Sequence, residues 1–239
     1  MTVRVRVAAV IAGELAITGD EHHYLGRVRR VRVGDAVVLV DGAGRVADAQ
    51  IVAMTDGETR VRAGEPRVEA EPRPRVHALI PWIKGDRMEH CVEKLVEVGC
   101  SRVVVWPAER AVVKLTGARL ADRARKLAEA AIAAARQCGR AADVEVVAVE
   151  SLRDAVEAVA GAAARFVLSP TADRATPSSL ATLADDVALA SGPEGGLAPR
   201  ELDALVAAGF APLGLGPRVL RAETAPVVAV ALIRAATGS

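Results

Sequence analysis

The chain has 239 residues, 51% of them hydrophobic, and its 31 basic and 30 acidic side chains leave a formal net charge of only +1. Such a chain supplies the core of one large domain or two small ones, and its near-neutral balance means that a nucleic-acid partner would have to be met by a local basic cluster, not by overall charge. The longest apolar run near the C-terminus, residues 225–233, is too short to span a bilayer, and the opening "MTVRVRVAAVIAGE" lacks the layout of a signal peptide, so a soluble protein of the cytoplasm with no membrane partner is expected. Cys91, Cys100 and Cys138 share no Cys-x-x-Cys spacing and the histidines no His-Glu-x-x-His pattern, so neither a disulfide framework nor a metal site is expected.

From Val3 to Val7 apolar residues alternate with arginine, the period of a half-buried strand. Thr18 and Glu21 read as a capping box that opens a short helix over residues 21–31. Within "GRVRRVRVG" Arg27, Arg29, Arg30 and Arg32 crowd together, as either a nucleic-acid contact or a solvated face offset by Asp20, Glu21 and Asp35. "AVVLV", the turn "DGAG" at residues 41–44, "RVADAQIVAM", the turn "TDG" and "TRVRA" then form a hairpin series, which predicts a small β-barrel over residues 1–70. "GEPRVEAEPRPRV", residues 64–76, brings three prolines and dense charge without apolar period and is the expected linker.

Beyond it, buried-looking strands alternate with helical segments from residue 74 to 239. The strands are "VHALIPWI", "RVVVW", "DVEVVAV", "RFVLS", "DVALA" and "FAPLGL"; the helices are residues 86–98, 120–138, 152–159 and 199–208, the first with Met88, Cys91, Val92, Leu95 and Val98 on one stripe. This alternation predicts an α/β domain built on a parallel sheet, whose ligand would lie beyond the carboxyl ends of the strands.

Two glycine loops fall at such ends. "SGPEGGLAPREL", residues 191–202, has no lysine for a Walker loop, the wrong glycine spacing for a dinucleotide fingerprint, and no glycine two places before Ser191 for a hydrolase elbow. What remains is a strand, a glycine loop closely approached by something, and a helix with Pro199 in its first turn. "LGLGPRVLRAETAPVVAVALIRAA", residues 213–236, repeats the arrangement: a glycine loop, Arg218 and Arg221, a helix start at Glu223 and Thr224, and an apolar helix that must be buried in this subunit or against a second one.

"GPEGG" at residues 192–196 together with "LGPRVLRAET" at residues 215–224 resemble two signature segments of the SPOUT methyltransferases, and specifically of the ribosomal RNA small-subunit methyltransferase E family. "HHYLGRVRRVRVGDAVVLVDG" is similar to that family's N-terminal PUA-like domain, and "KGDRMEHCVEKLVEVGCSRVVVWPAERAVVK" to the first helical unit of its catalytic domain. At residue 136 the chain carries arginine where the family's segment has glutamate, and valine and arginine stand where the first strand often has an aromatic pair. The resemblance implies a PUA-like barrel over residues 1–70, a SPOUT domain over residues 74–239 with a C-terminal trefoil knot, and a homodimer. It implies S-adenosylmethionine as cofactor, enclosed by Leu168, Ser169, Gly192, Pro193, Glu194, Gly195, Gly196, Leu215, Gly216, Val219 and Leu220. The implied reaction is methylation of uridine N3 in 16S ribosomal RNA of the small subunit. In it Arg221 would stabilise the uracil anion, and Glu223 would accept the proton or cap the last helix. RNA would be held by Arg27, Arg29, Arg30, Lys84, Arg87 and Arg110. An RNA-binding assembly factor without catalysis, and a SPOUT enzyme acting on transfer RNA, are the alternatives.

Overall fold

The period-2 segments fold as strands because alternation puts one row of side chains inside and leaves the charged row in water. The structure, a computed structural model, describes residues 2–239 without the side chain of Pro177, and divides into two compact units: residues up to Glu71 with Ala135–Asp143, and Pro72–Ala134 with Val144–Ser239.

The first unit holds β1 (Val3–Arg6), β2 (Gly13–Thr18), β3 (Ala36–Val40), β4 (Arg45–Met54), β5 (Glu58–Ala63) and β6 (Arg67–Val68). They run in the order β1-β3-β4-β5-β2, with β6 on β4; β1 and β3 are parallel and the other pairs antiparallel. Val5 and Ile17, from the two end strands, meet Leu25, Leu39, Ile51 and Val61 in one core, so the sheet encloses its apolar face. β2 is an addition to the expected hairpin series, although Leu15 and Ile17 alternate with exposed neighbours.

The expected helix over residues 21–31 is shorter and differently capped. Helix α1 (Gly19–His23) continues into one π-helical turn, Tyr24–Val28. Thr18 makes no side-chain cap; Glu21 accepts from the Arg6 amide at 3.3 Å and pairs with Arg136. With one carboxylate oxygen on Arg136 and the other on the Arg6 amide, Glu21 is drawn away from the helix start and no capping box forms. Buried His22 joins α1 to β5 through Thr59 Oγ1 at 2.9 Å and the Asp56 carbonyl at 3.2 Å. The turn ends with Val31 N–H donating to the Leu25 carbonyl at 3.2 Å, which leaves Arg30 at φ 52. That is the left-handed position where helix ends favour glycine.

Residues 135–143 complete this unit. Asp143 takes both Arg6 amines, at 2.8 and 2.6 Å, and its amide donates to the Gly42 carbonyl at 2.9 Å. Ala141 packs on Val40 and Val46.

The second unit holds β7 (Val76–Pro81), β8 (Arg102–Trp106), β9 (Glu145–Ala148), β10 (Ala164–Leu168), β11 (Val187–Ala190) and β12 (Ala211–Leu213), all parallel in the order β12-β10-β11-β7-β8-β9. Its helices are α2 (Arg87–Glu97), α3 (Gly117–Cys138, whose last four residues belong to the first unit), α4 (Leu152–Glu157), α5 (Pro177–Leu180), α6 (Pro199–Ala207) and α7 (Ala225–Thr237). Leu79, Val104, Trp106, Val167, Ala188 and Ala190 form one apolar layer against Leu205 and Phe210. In α2 the expected stripe is buried except Val98, which follows the helix and is only half-buried, while Val96 joins the interior.

Helix α7 buries Ala229, Val230 and Ile233 and leaves Val227, Val228 and Leu232 half-buried in the single chain. It also buries Arg234, whose guanidinium donates to the Gly99 carbonyl at 2.6 Å, the Pro74 carbonyl at 2.7 Å and the Pro72 carbonyl at 3.3 Å. Carbonyl dipoles from two loops thus satisfy a charge that would otherwise be costly to bury.

At the opposite, amino end of this sheet Asp186 accepts from Arg75 at 3.1 and 2.5 Å and lies 3.7 Å from His77 Nε2. Burial, outweighing Asp186, pushes the His77 imidazole below its ordinary value of 6.5. The folded protein therefore refuses a proton that the unfolded chain accepts, and stability is lost as pH falls through that ordinary value. Thermal midpoints should fall between about pH 7.5 and about pH 5.5, and His77→Gln should flatten that slope. A scan of unfolding temperature against pH checks both.

Candidate active site

The neighbouring strands β12, β10 and β11 bring their carboxyl ends together, and a cavity of about 620 Å³ opens there. Leu168, Ser169, Ser191 and Leu213 lie at the strand ends, and residues of the two glycine loops form the walls. A volume of this size holds a nucleoside-sized ligand.

The first loop turns sharply because the Gly196 amide donates to the Pro193 carbonyl at 2.8 Å, with Gly196 at φ +71, a conformation closed to most side chains. Gly192, Pro193, Glu194 and Gly196 line the cavity. Gly195 does not: a Cβ on it would lie 3.2 Å from Arg110 Cβ, and the Arg110 guanidinium donates to the carbonyls of Gly195 at 3.4 Å and Leu197 at 3.3 Å. Arg110 buttresses the loop from outside.

The following helix is held by a residue that the sequence reading passes over. Buried Glu201 accepts from the Ala198 amide at 2.8 Å and the Glu109 amide at 2.7 Å, fixing both the start of α6 and the loop after β8. A glutamate three places after a helix N-cap is the available signal.

The second loop leaves β12 through Gly214, whose amide donates to the Asp173 carbonyl at 2.9 Å and whose carbonyl accepts from the Ala175 amide at 2.9 Å. The segment after β10 therefore runs tight against the segment after β12. Leu215, Gly216, Val219, Leu220 and Arg221 all line the cavity, as does Arg218.

The charged residues of the lining keep much of their side chains exposed. Arg87 lies 3.1 Å from Glu194 and 3.6 Å from Glu223, and Arg221 lies 3.8 Å from Glu223. Glu223 is not itself in the lining; its side chain is 11% exposed and its Oε2 has no hydrogen-bond partner, whereas Arg221 is 78% exposed. Helix α7 begins at Ala225, two residues after Glu223, and Thr224 makes no side-chain cap. Nearby Cys91 is pushed up to about 12 by burial, then by Cys100 and Glu223, so the thiol stays protonated and is no nucleophile.

Lys84 is exposed in the turn ahead of α2. Arg27, Arg29 and Arg30 are exposed in the first unit beside Val28, and no ion pair joins them among the described residues. Among the described residues no group of three or more His, Cys, Asp or Glu could hold a metal, and no helix is long and apolar enough to cross a membrane.

Family models for an RNA methyltransferase domain match residues 69–234, and for an RNA methyltransferase PUA domain residues 17–63. The two units thus define an RNA methyltransferase. The chain is 36% identical to a ribosomal RNA small subunit methyltransferase E of Mycobacterium bovis over 91% of its own length and 84% of the relative's. Its fold matches a proposed methyltransferase of Legionella pneumophila solved with the bound cofactor SAM, at TM-score 0.79 and 28% identity over 99% and 98% of the two chains. It also matches the small subunit methyltransferase E of Neisseria gonorrhoeae bound to S-adenosyl methionine, at TM-score 0.81 and 24% identity over 98% of each. This chain belongs to the ribosomal RNA small subunit methyltransferase E family.

Proposed function

We propose that the chain transfers a methyl group from S-adenosylmethionine to N3 of a uridine in 16S ribosomal RNA of the small subunit. The observation that carries this reading is the cavity: an interior of glycine backbone, leucine and serine beside a rim of arginine and glutamate. It suits a ligand with an uncharged nucleoside half and a charged amino-acid half, as S-adenosylmethionine has. That cofactor supplies a methyl group on a sulfonium centre. Leu168, Leu215 and Leu220 form apolar walls, and backbone groups of the loops recognise the base without a phosphate-binding lysine.

Uridine N3 bears a proton on the Watson-Crick edge, so the target base has to be unpaired or flipped out. Glu223, its carboxylate held between Arg87 and Arg221 behind the lining, accepts that proton through a water. Arg221, the more exposed guanidinium, stabilises the negative charge that spreads to the uracil carbonyl oxygens. Arg87 and Arg110 serve the carboxylates and the loop, and Lys84 meets RNA phosphate. Arg27, Arg29 and Arg30 on the PUA-like unit, residues 1–70, dock the RNA backbone, and the half-buried apolar side of α7 packs in a homodimer of the SPOUT domain, residues 74–239.

Arg30 carries a separate consequence. Its left-handed backbone costs about 1 kcal/mol relative to glycine. Arg30→Gly should therefore stabilise the protein by about that amount while weakening RNA binding, a combination that paired chemical-denaturation and filter-binding measurements would detect.

The function is tested by incubating small ribosomal subunits with the protein and labelled S-adenosylmethionine and mapping methylated nucleotides by mass spectrometry. A label on uridine N3 of 16S RNA is expected. Binding of RNA without any label would make the chain an assembly factor, and a label on transfer RNA alone would overturn the substrate.

A further inference from the structure

Ser191 stands at the end of β11, immediately before the first glycine loop, and lines the cavity. It is 2% exposed, and its Oγ is buried without a hydrogen-bond partner. Its amide is committed to the sheet, donating to the Leu79 carbonyl at 2.9 Å. A buried hydroxyl left unpaired is destabilising, and alanine, which fills the preceding position 190, would avoid that cost. The residue lines the cavity, and a hydroxyl orphaned in a cavity wall has its natural partner in a ligand packed against that wall.

We propose that Ser191 Oγ is a direct hydrogen-bonding contact to the nucleoside half of the bound cofactor; this rests on the S-adenosylmethionine reading of the cavity. The gradient of burial selects that half. The charged lining residues stand outward, Arg87 at 40%, Glu194 at 32% and Arg221 at 78% side-chain exposure, so the charged amino-acid half is matched at the rim. Ser191 lies deep, among the strand-end side chains Leu168, Ser169 and Leu213, where an uncharged group is the one that can be desolvated. A hydroxyl both donates and accepts, so it can meet a ribose hydroxyl or a ring nitrogen.

The test compares wild type with Ser191→Ala by calorimetry, using S-adenosylhomocysteine and 5′-methylthioadenosine, which keeps the nucleoside and lacks the amino acid. Ser191→Ala is expected to weaken both ligands by a similar factor of about 5, the scale of one neutral hydrogen bond. Without ligand, its thermal midpoint should be equal to or above that of wild type, because the orphan is gone. Unchanged affinity for both ligands overturns the assignment, and a loss confined to S-adenosylhomocysteine moves the contact to the amino-acid half and overturns it as stated. Wild-type protein that binds neither ligand overturns the cofactor reading itself, an outcome distinct from a silent Ser191→Ala.

Discussion

Arg221→Lys is expected to slow methyl transfer by about 10²-fold or more, the scale of losing an oxyanion donor, while cofactor affinity changes little. The charge survives the substitution, but the planar fork of donors does not, and an ammonium cannot address the spread anion in the same geometry. The guanidinium is 78% exposed and its nearest carboxylate, on Glu223, is 3.8 Å away, so its donors remain available to a substrate. Arg29→Ala should behave in the opposite way, weakening RNA binding and flattening its salt dependence by about one phosphate contact with a near-normal saturated rate. Single-turnover kinetics on small subunits at saturating cofactor separate the two. Normal turnover by Arg221→Lys, or a defect that vanishes at high RNA, would remove Arg221 from the chemistry.

Gly214→Ala should be strongly destabilising. A Cβ there would stand 2.8 Å from the Asp173 carbonyl oxygen and closer still to that of Ala172. Both are backbone atoms, so the neighbouring segment itself has to move and the hydrogen bonds around Gly214 are lost with it. A destabilisation of about 3 kcal/mol follows, with loss of cofactor binding because Leu213 and Leu215 flank the displaced residue. Gly161→Ala is the control, since nothing lies within 4 Å of its Cβ position. Urea unfolding of the two variants should differ by most of that amount; similar curves would show that the crossing segments yield easily.

The parallel sheet was legible because its strands are short runs of branched apolar residues bounded by turn signals, and the glycine loops because their spacing excluded the common phosphate motifs. Leu168 and Leu220, more than 50 residues apart, could be placed in one wall because the first ends a strand and the second lies in the glycine loop that follows another, where such sheets bind ligands. Non-local pairing was not legible. Nothing in "EGG" marks Gly195 as the glycine that faces Arg110, since that contact is made from a loop 85 residues earlier. Glu21 followed a local capping rule on paper and lost it to Arg136, a partner 115 residues away. Arg234 drew no expectation of its own at the end of an apolar helix, because the carbonyls that surround it belong to loops fixed only by the finished fold. Ser191 was weighed only as a hydrolase-elbow serine and set aside, its missing partner being a property of three-dimensional surroundings alone.

The nine residues from Ala135 to Asp143, which belong with the first unit, bear on how this chain can be recombined with its relatives. A gene fragment cut at the proline-rich linker would deliver Arg6 without Asp143, Glu21 without Arg136, and Val40 and Val46 without the Ala141 that covers them. The first unit is therefore not a contiguous cassette. A chimaera that exchanges it between relatives has to carry two segments of coding sequence, and one built from the N-terminal segment alone should express as an incompletely folded protein.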